Sequence, residues 1–461
     1  MLKNYKELKV WQKSYKLCLD VYGITKGFPK NEKYGLTSQI RRAVVSVPSN
    51  IAEGYGKKTT PDYMRLLYIA YGSNCELETQ ILLSGDLCYI NGEETENLLK
   101  KIGEVERILK ALIKSLKKCL NPRTLEPLNP FYKPATLEEG LDALQESGKN
   151  ARVLAGGTDL LINMKYRVVR PEVVIGIKSI PDLCNISSDN KGNTSIGACV
   201  TLSDLASNTS LAEEFPAFNL AVKSVASKHI RNMASIGGNI CLDTRCWYYN
   251  KSKLWRDSKE VCNKLGGRQC HAIKGSERCH AINSSDTAPV LIALDARVKV
   301  AKKGDERVIP VKDFFKDNGA QPTALGPEEM VTSLTIPKAK EGSHTVFIKV
   351  TTRKGLDFAM GSIAAKVQEN GDGLKDLSLV VGSIASAPII LKKAAQVVLD
   401  SGLTEASIEM AALTARSELG TLTNLFSSAG YKRHLAEVLV KRALTELSHS
   451  PQRSQSTRRK N

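Results

Sequence analysis

Val153-Leu154-Ala155-Gly156-Gly157-Thr158-Asp159-Leu160-Leu161 is the stretch on which the larger part of this chain turns. Three apolar residues that read as the end of a buried strand run into paired glycines, and the capping residue types Thr158 and Asp159 then restart the pattern. Glycine has no side chain to hold off an anion and adopts positive φ freely, so such a turn exposes backbone N–H groups. Alone it reads sooner as an ordinary tight turn, since the G-x-G-x-x-G fingerprint is absent. Further on, Arg231-Asn232-Met233-Ala234-Ser235-Ile236-Gly237-Gly238-Asn239-Ile240 repeats the chemistry, with paired glycines beside Ser and Asn side chains. Two such turns can cradle a pyrophosphate and its flanking ribityl or ribose groups from opposite sides. Asn283-Ser284-Ser285-Asp286-Thr287-Ala288-Pro289 then supplies a carboxylate of the kind that hydrogen-bonds sugar hydroxyls.

Around this centre the chain is long, 461 residues, which suits about three domains of ~150 residues each. Lys and Arg outnumber Asp and Glu by 66 to 48, a net +18 that suits an anionic partner without naming it. No run approaches the ~18 apolar residues of a membrane helix, and the start Met1-Leu2-Lys3-Asn4-Tyr5-Lys6 has no signal-peptide core, so a cytoplasmic protein is expected. Before the glycine turns, residues 1–118 show four helical patterns. Leu8, Trp11, Tyr15, Cys18 and Tyr22 make the first stripe; Leu36, Ile40, Ala43, Val47 and Ile51 the second, with a kink expected at Pro48. Met64, Leu67, Tyr71, Leu77 and Leu82 make the third, opened by Thr60-Pro61-Asp62, and Ile102, Val105, Leu109, Leu112 and Leu116 the fourth. Four helices with one apolar face each predict a four-helix bundle. Residues 119–130 read as a linker, 131–340 as an α+β domain, 341–447 as a smaller α+β domain, and 448–461 as a disordered basic tail.

Two resemblances attach to these residues. Trp11, Phe28-Pro29, Tyr34-Gly35-Leu36, Gln39, Arg41-Arg42-Ala43, Ser46-Val47-Pro48 and Asn50-Ile51-Ala52-Glu53-Gly54 resemble the proteins encoded by intervening sequences in bacterial 23S ribosomal RNA genes. That resemblance implies a four-helix bundle and self-association, with no reaction attached. Arg41, Arg42, Lys57 and Lys58 are candidates for RNA phosphates, but a solvated basic face is the preferred reading. Residues 129–447, with the two glycine turns, Ser285-Asp286-Thr287-Ala288-Pro289 and Val381-Gly382-Ser383-Ile384-Ala385 in order, resemble the flavin-binding subunit of molybdenum hydroxylases, the xanthine dehydrogenase and carbon monoxide dehydrogenase group. The resemblance implies an FAD-binding domain of the molybdopterin dehydrogenase type followed by a C-terminal flavoprotein domain. It puts FAD on Ala155, Gly156, Gly157, Thr158, Asp159, Leu160, Ser235, Ile236, Gly237, Gly238 and Asn239, with Asp286 by the ribityl chain. Ile236 and Arg353-Lys354-Gly355-Leu356-Asp357-Phe358-Ala359 are expected around the isoalloxazine. Thr421-Leu422-Thr423-Asn424-Leu425-Phe426 departs from the family's more polar, proline-bearing stretch.

The chain has 11 cysteines, an odd number, and four fall close together at Cys246, Cys262, Cys270 and Cys279, with Cys241 just ahead. The surrounding residues include Arg245, Lys251, Lys253, Arg256, Lys264, Arg268, Lys274 and Arg278; cationic neighbours favour thiolates and hence metal ligation. Four thiolates can hold tetrahedral zinc or a [4Fe–4S] cluster. The spacings of sixteen, eight and nine positions lack the short C-x₂₋₄-C pairs of zinc sites, although His271 and His280 keep a mixed Cys/His zinc site open. Residues 241–282 resemble the cluster-bearing insertion of the 4-hydroxybenzoyl-CoA reductase flavin subunit. That resemblance implies that Cys246, Cys262, Cys270 and Cys279 bind a [4Fe–4S] cluster and that Cys241 is a bystander.

The expected function is an electron-transfer subunit linking ferredoxin or another carrier, through cluster and FAD, to a molybdopterin-binding large subunit and a [2Fe–2S] small subunit. No complete catalytic site is expected in this chain. The alternatives are a generic xanthine or CO dehydrogenase-type flavin subunit passing electrons to NAD or a quinone, and an RNA-associated scaffold dominated by the bundle.

Overall fold

Spacing decides the N-terminal unit. The computed structural model describes residues 4–57, 60–120, 130–353, 355–370, 373–420 and 428–449. Lys58, Lys354, most of the expected linker, the 421–426 stretch and the tail from residue 450 lie outside them. Contacts divide the chain into Met1–Glu126 and Pro127–Asn461. The first unit holds helices α1 (Lys9–Ile24), α2 (Leu36–Tyr55), α3 (Thr60–Asp86) and α4 (Gly92–Leu120). α1 and α3 each pack on both α2 and α4, closing a ring around one core that includes Leu17, Ile40, Ile51, Leu67, Leu77, Ile102 and Leu109. Burying each such side chain stabilises the unit by ~1.5–3 kcal/mol before entropy is counted. α4 starts where Asn91 Oδ1 accepts the Glu94 N–H at 2.8 Å and Glu94 answers on the Asn91 N–H, a reciprocal cap.

α2 continues as helix on both sides of the buried Pro48. The stripes need two corrections. Leu82 is 47% exposed, because the buried face of α3 continues through Ile81 and Ser84, at the four-then-three step from Leu77. Tyr15 and Tyr22 stand at the surface, and Tyr22 carries the Arg41 guanidinium 4.9 Å above its ring. Arg41 also donates to Thr25 Oγ1, Arg42 to Gln39, and Lys57 pairs with Glu53. These cations already have partners, in keeping with the solvated face. No described helix is long and apolar enough to cross a membrane.

The second unit contains three sheets. β1 (Phe131–Tyr132), β2 (Ala151–Leu154) and β3 (Val173–Gly176) form a small parallel sheet in the order β1-β3-β2. β4 (Ile186–Ser188), β5 (Thr194–Gly197), β6 (Arg297–Lys302), β7 (Asp305–Pro310) and β8 (Met330–Ile336) form an antiparallel sheet ordered β4-β5-β8-β6-β7. β9 (Ser343–Val350), β10 (Gly361–Asn370), β11 (Gly373–Gly382) and β12 (Ile389–Ile390) form the third, ordered β12-β11-β10-β9. Helices Lys392–Ser401, Glu405–Glu418 and Ala429–Ser448 share a core with this third sheet. Its strands also present Ala364 and Val380 to the core of the five-stranded sheet and helix Ala288–Ala293. The two sheet regions are thus clamped together, and their seam carries the site.

Candidate functional site: a glycine-lined cavity beside a cysteine insertion

At the end of β2 the backbone of the first glycine turn lies directly on the second. A Cβ on Gly156 would stand 1.9 Å from the Met233 carbonyl oxygen, and Gly157 has φ +72°. Neither position admits another residue without displacement. In the second turn, Ser235 caps the helix Ile236–Ile240 by accepting the Gly238 N–H on Oγ at 3.1 Å. A Cβ on Gly237 would meet Ala198 at 2.7 Å. Between the turns lies a cavity of about 590 Å³, bordered by Ala155 to Leu160, Ser235, Gly237 to Asn239 and Asp286, and by Arg353 and Leu356 to Phe358. This volume falls in the ~300–1,000 Å³ range of cofactor and ligand sites.

Ile236 departs from expectation: it is fully buried in the core and does not border the cavity. As the first residue of the helix that Ser235 caps, it turns its side chain inward, where apolar burial wins. Asn239 borders the cavity, but its Oδ1 is taken by the Ser285 and Thr287 hydroxyls at 2.8 and 2.7 Å, so it ties the second turn to the 283–289 segment. Asp286 is 5% exposed. One of its oxygens accepts the Lys349 ammonium at 2.6 Å, and Lys349 also donates to Ser224 O; the other oxygen, Oδ1, is buried with no partner. Burial pushes the carboxyl up to about 6 against the pull of Lys349. An unpaired buried acceptor at a cavity wall costs ~1–3 kcal/mol, a cost that a ligand hydroxyl would remove. With the glycine cradle it makes the site fit FAD.

The 241–282 insertion rises from the same seam. The Arg245 and Ile282 backbones exchange two hydrogen bonds of 2.8 Å, pinning its two ends together. Lys264, 4% exposed in its side chain, donates to Asp243, Thr244 Oγ1 and Gly319 O at 2.6–2.7 Å. The thiol of Cys246 lies within electrostatic reach of those of Cys262 and Cys270, and that of Cys279 within reach of Cys246 and Cys270. These electrostatic links connect all four thiols. Among the described residues no three His, Cys, Asp or Glu side chains close on one metal-ion position. Nε2 of His271 is taken by Glu260 O at 2.8 Å and that of His280 by Ser276 Oγ at 2.7 Å, while Nδ1 of His280 is buried with no partner. The expectation that basic neighbours lower the thiols fails for Cys246 and Cys279, where burial dominates and raises both, Cys279 to about 11. Cys241, pushed up to about 12 by burial, packs against the core.

Arg245 joins insertion to cavity. Its guanidinium meets Asp159 Oδ1 at 2.5 Å and covers the Phe358 ring at 4.4 Å. Asp159 gives its other oxygen to Asn163, and burial raises its carboxyl while Arg245 lowers it. Lys349 was missed from sequence; its signal is one lysine inside the apolar run Phe347-Ile348-Lys349-Val350.

Comparison with known proteins agrees with this geometry. Residues 124–339 match the FAD binding domain in molybdopterin dehydrogenase, 347–447 the CO dehydrogenase flavoprotein C-terminal domain, and 6–111 the 23S rRNA-intervening sequence protein. The aldehyde oxidoreductase FAD-binding subunit PaoB of Escherichia coli K12 is 31% identical over 317 residues, covering 66% of this chain and 94% of that protein. The glyceraldehyde dehydrogenase medium chain of Sulfolobus acidocaldarius is 26% identical, covering 69% and 98%. In structure, the carbon monoxide dehydrogenase of Hydrogenophaga pseudoflava shares the fold with a TM-score of 0.58 at 24% identity, covering 69% and 96%. The chain belongs to the FAD-binding subunits of the molybdopterin-dependent oxidoreductases. It is an oxidoreductase subunit, here joined to a 23S rRNA-intervening sequence domain.

Proposed function

We propose that this chain is the flavin and iron–sulfur electron-transfer subunit of a 4-hydroxybenzoyl-CoA reductase-like molybdenum enzyme. Its partners in this reading are a molybdopterin-binding large subunit and a [2Fe–2S] small subunit. Cys246, Cys262, Cys270 and Cys279 would hold a [4Fe–4S] cluster, and the two glycine turns with Asp286 would hold FAD. When bound, flavin exchanges electrons singly or in pairs and so links one-electron carriers to a two-electron reaction. The chain's own residues bind and orient. Backbone N–H groups of the first turn would face the diphosphate, those of Ile236 to Asn239 in the second already being spent within the protein; Asp286 Oδ1 would accept a ribityl hydroxyl, and Phe358 with Arg245 over its ring would border the bound flavin. Lys251, Lys253, Lys259 and Arg268 give the insertion a cationic surface that would steer an acidic carrier such as ferredoxin.

The observation that carries this reading is the electrostatic linkage of four thiols in one insertion, where Cys246 directly follows Arg245 of the cavity wall. Anaerobic purification followed by iron, sulfide, zinc and FAD analysis tests it. About four irons and one FAD per chain are expected; zinc without iron would make the insertion structural. A flavin subunit without the cluster is the second reading, favoured by relatives named for aldehyde and CO oxidation; one FAD and neither metal would select it. The N-terminal unit we read as a four-helix bundle for self-association.

A further inference from the structure

Cys184 and Cys199 take no part in the function above, yet the fold brings them together. They flank the antiparallel pair β4–β5, whose pairing continues past the strand ends: Gly197 N–H donates to Asn185 O and Cys199 N–H to Leu183 O, both at 2.8 Å. The turn that precedes β4 folds back over this end. Both thiols donate into it, Cys184 to the carbonyls of Lys178 and Ile180 at 3.5 Å and Cys199 to that of Ile177 at 3.6 Å. The Cys184 thiol adds to burial in holding the Cys199 thiol up, which puts the two within electrostatic reach. Cys184 is exposed, whereas Cys199 is 2% exposed.

We propose that Cys184 and Cys199 form a peroxide-sensitive dithiol that closes reversibly to a disulfide. The asymmetry in exposure assigns the roles. The Cys184 sulfur attacks a peroxide oxygen, breaking the O–O bond, so that thiol and hydrogen peroxide become a sulfenic acid and water. The Cys199 sulfur then attacks the Cys184 sulfur and forms the S–S bond; the sulfenic oxygen leaves as a second water with the Cys199 proton. Two thiols lose two electrons, and peroxide gains them. A small dithiol reductant reverses the reaction by exchange. Burial raises Cys199 to about 12, which suits the shielded, second-acting sulfur rather than the first. The pair adjoins the cofactor cavity: Ile177 and Ala198, each a neighbour of these contacts, border it, and Lys178 reaches Met233 of the second glycine turn at 3.7 Å.

The test uses the full chain, purified without oxygen, treated with increasing hydrogen peroxide, blocked with N-ethylmaleimide and cut with trypsin. Cleavage after Lys178, Lys191 and Lys223 places Cys184 in 179–191 and Cys199 in 192–223. The expected product is one species joining these two peptides, formed at peroxide doses that leave the exposed Cys88 reduced, and split by dithiothreitol. In Cys199→Ser, dimedone should trap a sulfenic acid on Cys184; in Cys184→Ser, Cys199 should stay reduced. The proposal is overturned if wild-type Cys184 accumulates sulfenic or sulfinic acid unjoined, pairs with another cysteine, or is still reduced when Cys88 is oxidised. These readouts follow peptides alone, so they stand whether or not FAD or a cluster is bound.

Discussion

The glycine cavity and the cysteine insertion meet at Arg245 but are held by opposite means. The cavity is made by backbone on backbone: Gly156 touches the Met233 carbonyl, and Gly237 packs on Ala198, so its shape exists before any ligand arrives. The insertion is held at its ends by a backbone bridge and by Lys264, while its four thiols are gathered without closing on one point. A cradle of backbone on backbone needs exclusion of side chains; the metal centre proposed for the insertion would need the metal to complete it. This difference predicts that the two fail separately.

The largest effect should come from the thiols. Serine at any one of Cys246, Cys262, Cys270 or Cys279 should take iron from about four per chain to near none, because a cluster lacking a ligand is lost. FAD content should stay near one per chain. If FAD falls in parallel with iron in all four variants, the two regions are one cooperative unit and the contrast fails.

The converse break is Gly156→Ala. One methyl group cannot fit 1.9 Å from a carbonyl oxygen, so the turns must part. Overpacking of this kind costs ~1–3 kcal/mol, and FAD binding should weaken at least as much. Thermal melting and flavin titration would measure both, with iron content retained. Full FAD affinity in this variant would mean that the turns do not form the cradle.

What could be read from sequence follows from the same contrast. Glycine pairs were legible because close backbone approach leaves one residue type possible, and the cysteines because four of the 11 fall between 246 and 279, far denser than an even spread. The pairs that tie the site together were not: Lys349–Asp286 spans 63 positions and Arg245–Asp159 spans 86, and periodicity says nothing about contacts at that range. Ile236 shows the opposite error. A small-residue turn marked the right place, but the direction of one side chain depends on the helix that Ser235 caps.

Asp286 sharpens the comparison by pH. Its carboxyl is raised to about 6, so above that pH it is the anion paired with Lys349 and below it the neutral acid. The anion is the better acceptor for a hydroxyl, so FAD affinity should fall as pH drops through about 6. A charged hydrogen bond is worth ~1.5–3 kcal/mol, a loss of roughly tenfold or more by 1.4 kcal/mol per decade. Asp286→Asn should start weak and lose this pH dependence, while cluster content stays flat. An unchanged profile in the variant would remove Asp286 from flavin binding.

The smallest effect is expected at the junction itself. Arg245→Lys keeps the charge toward Asp159 but loses the planar guanidinium over Phe358, a contact worth ~0.5–1 kcal/mol at a partly exposed site. FAD affinity should therefore fall about two- to fivefold, and iron content should not move. Arg245→Met goes further, leaving the half-buried Asp159 beside Asn163 without its cation; its carboxyl, already raised by burial, should rise again. FAD retention in the Met variant should then improve as pH falls and Asp159 takes up a proton, opposite in sign to the wild-type trend set by Asp286. Two carboxylates on one cavity wall would thus be told apart by the direction of their pH dependence. Identical profiles for Arg245→Met and wild type would show that Arg245 and Asp159 brace the insertion rather than the cavity.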